Sequence, residues 1–438
     1  MNVCVVGLWH LGTVTAASLA SVGHHVTGLD LDKDVIQRLQ AGQPPIFEPG
    51  LENLIKNELQ NSTLSFTTNA AAVSTAEVVW IAYDTPVDDD DQANVPYVID
   101  SIRRLFPYLN AGTHVLISSQ LPVGSTTYIA QEYALHYPDS NVSFAYSPEN
   151  LRLGKAIDVF LHPDRIVVGI RHNADRVPLD TFLRSITDHI EWMSIESAEM
   201  TKHAINAFLA LSVTFANEIA TLCEAVGADA KEVERGLKSE VRIGPKAYLG
   251  PGAAFAGGTL ARDVQFLTHI GNTNQRSVHL LKAIQVSNDT HKRWTEHKLI
   301  EVLGNLSGKT IAIWGLTYKA GTDTLRRSSA VELCHYLAEQ GAVLQAHDPA
   351  VRTLPPELAG KISLYETPLD AALNADALVI ATSWPDYQKI TSEEILSKMR
   401  TPVIVDISRF LFNSLGNDNR VRYLAIGKSN RTIQREEH

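Results

Sequence analysis

Apolar residues at three- and four-residue steps mark residues 197–227, SAEMTKHAINAFLALSVTFANEIATLCEAVG, where Met200, Ile205, Phe208, Leu209, Val213, Phe215, Ile219, Leu222 and Val226 recur without Pro or internal Gly. That spacing predicts one long amphipathic helix. Ser197 stands where an N-cap belongs, Glu199 in the favourable first turn, and Gly227 at the stop. At 1.5 Å per residue the helix would span roughly 45 Å, enough to join domains and to offer a face to a second subunit. Lys202 and Asn206 lie four apart on one face near its start; taken alone, they read as a solvated stripe.

On both sides of this helix the pattern changes to short buried runs that end in polar or Gly/Pro loops. Residues 2–12, NVCVVGLWHLG, followed by TVTAASLASVGHHVTGLDLD, read as strand, glycine turn, helix ending at Gly23, and a second strand closing on Asp30. Further strands are expected at 76–86 (AEVVWIAYDTP) and 114–119 (HVLISS, then QLPVGST), and 144–169 ends the first domain. Beyond the long helix, 241–267 carries glycines at 244, 250, 252, 257 and 258, a flexible or tightly turning loop before a helix. A second α/β unit begins with KTIAIWG at 309–315, with a helix at 328–340 and strands at 342–347, 377–381 and 402–407. The polar tail begins at Asn413, and its last ten residues are expected to be mobile. The fold class is therefore α/β: two Rossmann-like, doubly wound domains joined by a long central helix and a helical dimerisation region. The expected bounds are 1–196, 197–300 and 301–438.

Length and composition agree with that division. A chain of 438 residues exceeds one ordinary core, and 45% hydrophobic with 20% charged residues describes a globular protein. The net charge of -11 argues against nucleic acid or an anionic membrane as main partner, so any phosphate site must be local. Cys4, Cys223 and Cys334 are scattered, without metal-ligand spacing, and suggest a reducing cytoplasm. No basic leader precedes the first strand and no run of eighteen apolar residues occurs, so neither secretion nor a membrane span is expected.

The first chemistry is in the glycine turn. Gly7 and Gly12 fit the outer glycines of G-x-G-x-x-G, around Leu11, and Asp30 lies where a carboxylate can hold the adenosine ribose of NAD, with the diphosphate on the helix N-terminus. Trp9 occupies the middle glycine position, where a side chain crowds the pyrophosphate. The second α/β unit lacks such a fingerprint, so a mononucleotide-sized ligand suits it better. The acidic run 88–91 cannot converge on one ion and reads as a solvated loop.

Taken in order, the segments resemble one family over essentially the whole chain, the UDP-glucose/GDP-mannose dehydrogenases. The resemblance rests on GLWHLGTVTAASLASVGHHVTGLD, IFEPGL, the strand-end Thr85 and Pro86, SPENLRLGKAIDVFLHPDRIVVG, KHAINAFLA, NEIATLCE, RIG, FAGGTLARD and GLTYKAGTDTLRRS. It implies an NAD-binding first domain, a central helical dimerisation region and a last domain holding the nucleotide of a UDP- or GDP-sugar. Family members oxidise the sugar's C6 alcohol twice, to a uronic acid, and commonly feed polysaccharide biosynthesis.

By that resemblance, Lys202 and Asn206 face the C6 oxygen, Asp263 works beside them with a water, and Glu149 is the Glu of the P-E motif. Thr85, Pro86 and Arg326 fall to the cofactor. Arg152, Arg242, Phe255, Gly257 and Lys319 fall to the sugar nucleotide, with Arg242 commonly reaching across a dimer. The departures cluster. Thr259 stands at the nucleophilic cysteine of F-G-G-S-C-F-x-K-D, Leu153 at the second Glu of P-E-F-L-x-E-G, and Gln120 at the Thr of S-T-V-P-x-G-T. A threonine hydroxyl cannot form a comparable covalent adduct without a strong base. Three functions fit: oxidation that stops early or proceeds through an aldehyde hydrate, a redox-neutral epimerisation or rearrangement with bound NAD, or a silent nucleotide-sugar-binding protein.

Overall fold

The structure is a computed structural model that describes residues 1–88, 93–149, 151–256 and 258–429. The chain groups into two compact units, Met1–Ile205 and Asn206–His438.

The first unit is built on an eight-stranded sheet: β1 (Asn2–Val6), β2 (His25–Leu29), β3 (Leu64–Thr67), β4 (Val78–Ile81), β5 (His114–Ile117), β6 (Ser143–Tyr146), β7 (Ile166–Gly169) and β8 (Ile190–Met193), ordered β3-β2-β1-β4-β5-β6-β7-β8. All neighbours are parallel except β6 and β7. Alternate residues feed cores on the two faces: Val3, Val5, Val78 and Trp80 on one, Cys4, Val6, Val79 and Ile81 on the other. Burial on both faces is why these strands read as continuous apolar runs. The strand order reverses between β1 and β4, which puts a ligand crevice at their carboxyl ends.

The second unit repeats the plan in six parallel strands: β9 (Thr310–Trp314), β10 (Val343–His347), β11 (Ile362–Leu364), β12 (Ala377–Ile380), β13 (Val403–Asp406) and β14 (Arg422–Leu424), ordered β11-β10-β9-β12-β13-β14. Ile311 and Ile313 face one core, Ala312 and Trp314 the other.

The long helix runs Ile195–Val226, its cap three residues earlier than the expected Ser197. Ser194 caps it, its Oγ accepting from Ser197 N at 3.2 Å, because buried Ile195 and Ala198 draw one more turn into the core. Gly227 ends it at φ 80°. Its apolar residues divide between the two faces. The buried face carries Ala198, Glu199, His203, Asn206, Ala207, Ala210, Ala216, Asn217 and Ala220, while Phe208, Phe215, Leu222 and Val226 are exposed. Small residues allow close packing, and the inward polar ones find partners described below. Among the described residues this is also the one helix long and apolar enough to cross a membrane. The acidic residues 89–91, and the tail from 430, lie outside the described residues.

Candidate active site

The glycine turn follows β1. Gly7 adopts φ 88°, donates its N–H to Leu29 O at 2.9 Å, and lies so close to Tyr83 that a Cβ would come within 2.6 Å of the ring. A Cβ on Gly12 would fall 1.8 Å from Gly7 O. Both positions therefore require glycine. Trp9 does not: it sits at φ -80° as the N-cap of helix His10–Ser21, and its ring is 47% exposed. The helix opens with no side-chain cap and no acidic residue in its first turn. The N–H groups of that turn have no intrahelical acceptor, as a diphosphate cradle needs. Leu11 packs its side chain into the core and can offer a ligand only its backbone. Asp30 ends β2, half-buried, its Oδ2 accepting from Leu8 N at 2.7 Å and Oδ1 from Asp32 N at 3.0 Å. A carboxylate so oriented beside the turn fits a ribose diol, and the residues present fit NAD.

At the next two strand ends, buried Thr85 donates its hydroxyl to Gln120 O at 2.6 Å, and exposed Pro86 accepts from Asn94 N at 2.7 Å. Glu149 follows β6, and its backbone oxygen accepts a hydrogen bond from Lys202 Nζ. Arg152 is exposed and Leu153 half-buried in the loop that leads to helix Ala156–Leu161.

Three residues that the sequence reading did not place in the site hold these loops. Glu48 accepts from His10 Nε2 at 2.9 Å and from Gly154 N and Ala156 N at 2.8 Å each. Glu199 accepts from Gly124 N at 2.6 Å and Thr126 N at 2.9 Å, at the start of helix Ser125–His136. Burial pushes its carboxyl up, against the pull of those amides. His203 Nε2 lies 3.0 Å from Leu121 O. The available signal was the spacing of Glu199, His203 and Asn206, steps of four and three inside an apolar helix.

In the second unit, Asn206 Nδ2 donates to Asp263 Oδ2, both side chains buried. Phe255 is clamped by Asn288, which accepts from its N–H at 2.9 Å and donates to its carbonyl at 2.8 Å, while the ring lies in a core with Ala207, Ala210, Ala261, Val264 and Ile284. The glycine-rich segment is thus pinned rather than loose. Gly252 N donates to Asn217 Oδ1 at 2.9 Å and Gly252 O meets His291 Nε2 at 2.8 Å. Thr259 is exposed at the first position of helix Thr259–Thr273, after Gly258 at φ 106°. Gly257 lies outside the described residues. Arg242 is 88% exposed and pairs with Glu240 at 2.9 Å. Half-buried Lys319 and exposed Arg326 lie in the loop after β9. The cysteines are free and buried in the cores; burial pushes the Cys4 and Cys334 thiols up to about 12 and raises Cys223 as well.

Similarity to known proteins runs along most of the chain. Residues 1–187 match the NAD binding domain of the UDP-glucose/GDP-mannose dehydrogenase family, 196–290 its central domain, and 312–413 its UDP binding domain. UDP-glucose 6-dehydrogenase YwqF of Bacillus subtilis is 34% identical over 409 residues, 93% of each chain. A UDP-glucose 6-dehydrogenase of Pseudomonas aeruginosa is 33% identical over 422 residues, again 93% of each. The solved structure of a UDP-glucose dehydrogenase from Pyrobaculum islandicum superposes with a TM-score of 0.88 at 30% identity, covering 98% of both chains.

Two Rossmann-like sheets, a glycine turn beside a half-buried carboxylate, and these matches define an NAD-dependent nucleotide-sugar oxidoreductase. The chain belongs to the UDP-glucose/GDP-mannose dehydrogenase family.

Proposed function

We propose that this chain oxidises the C6 primary alcohol of a nucleotide hexose, with UDP as the nucleotide, and stops at the aldehyde or its hydrate. The match of 312–413 to a UDP binding domain supports UDP over GDP. Bound NAD supplies the two-electron acceptor, so each alcohol taken to an aldehyde releases one NADH and one proton. Lys202, oriented by its bond to Glu149 O, carries the positive charge that stabilises a developing alkoxide. In the second unit Asn206 donates its amide to Asp263, which holds that side chain in one orientation. Glu149 and Arg152 stand on the loop that meets the sugar, and Lys319 and Arg242 serve its diphosphate.

The early stop rests on Thr259, which opens its helix in the same unit as the Asn206–Asp263 pair and which the sequence resemblance sets at the family's thiol, while the chain's own three thiols are buried in cores. A hydroxyl there does not capture an aldehyde as a thiolate does. Leu153 and Gln120 remove the groups that assist the closing hydrolysis. The test is a panel of UDP- and GDP-sugars with NAD, counting NADH per sugar and identifying the product by mass. One NADH and an aldehyde or hydrate is the expected result; two NADH and a uronic acid would overturn it, and an altered sugar without net NADH would point to a redox-neutral cycle.

The same reading assigns 1–196 to NAD, 197–300 to dimerisation and 301–438 to the sugar nucleotide, in a cytoplasmic homodimer. Exposed Phe208, Phe215 and Leu222, spaced by sevens on the long helix, support a self-paired face. So does an apolar cavity of about 730 Å³ that Leu222, Val286 and Trp294 help to line. Three free cysteines suit a reducing compartment.

A further inference from the structure

We infer that Glu48 is a positioning residue that couples occupancy of the NAD turn to the loop bearing Glu149, Arg152 and Leu153. Its carboxylate is 1% exposed, so water cannot stand in for its partners. Oε2 accepts from His10 Nε2 at 2.9 Å and from Gly154 N at 2.8 Å, and Oε1 accepts from Ala156 N at 2.8 Å. A carboxylate oxygen accepts each of the two loop N–H groups, and the His10 ring meets the same oxygen as Gly154 N.

The two ends of this chain of bonds are distant in sequence and different in role. His10 is the first residue of the helix whose opening N–H groups would hold a diphosphate. Gly154 and Ala156 sit just beyond Arg152 and Leu153, and Gly154 holds φ 86°, so the loop turns where Glu48 grips it. Three hydrogen bonds to one buried charge make a short, stiff connection between two backbone segments. Ligand binding that immobilises the first turn of the helix thereby immobilises the loop, a contiguous physical path rather than mere proximity. Glu48 itself is anchored by the Pro49–Gly50 step, Gly50 taking φ 82° as the N-cap of helix Leu51–Gln60. The inference rests on the proposed roles of Glu149 and Arg152 only for its catalytic consequence.

The test is hydrogen–deuterium exchange on the full chain with and without NAD. In the natural protein NAD is expected to slow exchange at residues 7–12 and also at 151–157. Glu48→Gln puts an amide N–H against backbone N–H donors and is expected to keep the first protection while reducing the second roughly tenfold, within the usual span of coupling between sites. His10→Ala cuts the link at its other end and leaves Glu48 with both loop amides, so it decides alone if Glu48→Gln fails to fold. Undiminished NAD-induced protection of 151–157 in His10→Ala, or none in the natural protein, would overturn the coupling. A chain that turned over no sugar would sink the proposed reaction and leave the exchange result readable.

Discussion

Asp348 repeats in the second sheet the hydrogen bonds that Asp30 makes in the first. Leu8 N donates to Asp30 Oδ2 and Leu316 N to Asp348 Oδ2, each at 2.7 Å; Asp32 N meets Asp30 Oδ1 at 3.0 Å and Ala350 N meets Asp348 Oδ1 at 2.9 Å. Each carboxylate closes the strand beside the first of its sheet, next to a positive-φ glycine, Gly7 or Gly315. The difference is in what remains. Asp348 Oδ2 also takes Thr317 N at 3.0 Å, Thr317 Oγ1 at 3.1 Å and Trp384 Nε1 at 3.1 Å, and the residue is buried, whereas Asp30 is half-exposed. One carboxylate stays half-exposed, where it fits a ribose, and the other is sealed into the protein.

Opposite consequences are expected on substitution. Asp30→Ala should weaken NAD binding by roughly 10- to 100-fold, the worth of charge-assisted hydrogen bonds of about 1.5–3 kcal/mol, with little loss of stability. Asp348→Ala should leave NAD affinity near its natural value and cost about 3 kcal/mol or more of stability, because five donors lose a buried carboxylate. NAD titration and denaturant melts of both variants check the pair.

On the proposed reading, Thr259→Cys supplies the missing nucleophile and leaves Leu153 and Gln120 as they are. The thiol should add to the aldehyde, and a second oxidation of the resulting thiohemiacetal should leave a thioester that persists, because Leu153 and Gln120 do not assist water. The expected signs are two NADH in a single turnover, a sugar-nucleotide mass added to the chain, and slow release. The triple variant Thr259→Cys, Leu153→Glu, Gln120→Thr should turn over to the uronic acid. The exposed first position of the helix accommodates the exchange with a stability change within about 0.5 kcal/mol.

Lys202→Ala should lower kcat by about 10²- to 10³-fold with a smaller change in KM for the sugar nucleotide, as expected for charge stabilisation realised in the transition state. Equal losses in Lys202→Arg would place geometry above charge. Steady-state rates of the two variants separate these outcomes.

How far the sequence carried depends on what each pattern encodes. Strand runs such as VCVV and IAIW are buried on both faces, so their position is readable, and so is the pairing of Gly7 with Gly12, since both need the absence of a Cβ. The long helix was readable as a helix but not by face. It carries two unlike stripes, and periodicity alone does not say whether the Phe208–Phe215–Leu222 stripe or the Ala-rich one is inside. Its start moved from Ser197 to Ser194 because two serines three apart can each cap, and burial of Ile195 decided between them. The kinship of Asp348 with Asp30 was hidden because Gly315 is followed five residues on by Ala320 rather than Gly, which erases the motif while the fold keeps the bond. Glu48, more than a hundred residues from Gly154, is joined to it only by the fold.

His291 ties stability to pH. Burial holds its imidazole below the usual value of 6.5, opposed by its hydrogen bond to Gly252 O and by Glu224. In the window between the depressed folded pKa and 6.5 the unfolded chain binds more protons than the folded one, so stability rises with pH there and is lost on acidification. Burial depresses His24, His114 and His347 as well, and they act with the same sign. Buried Glu199 and Asp406, raised above their usual values, act with the opposite sign from about pH 4–4.5 upward. Denaturant unfolding between pH 7.5 and 5.5 should show the acid-side loss, and His291→Gln, which can still donate to Gly252 O, should flatten its slope.

The exposed stripe of the long helix gives the last test. Phe208, Phe215 and Leu222 are 66%, 44% and 61% exposed, and Leu222 also lines the apolar cavity with Trp294. Burying three such side chains against a second copy removes a large apolar area from water, each worth about 1.5–3 kcal/mol when fully buried. A carboxylate in the middle of that surface would have to be desolvated without a partner, which costs more than the lost contact. Leu222→Glu should therefore yield a folded monomer, and Leu222→Ala a weakened dimer whose mass by light scattering falls on dilution. If Arg242, exposed on its own chain, completes the partner's site, the Leu222→Glu monomer should lose activity while NAD affinity at the glycine turn stays unchanged. A dimer that survives Leu222→Glu would remove this face from the interface.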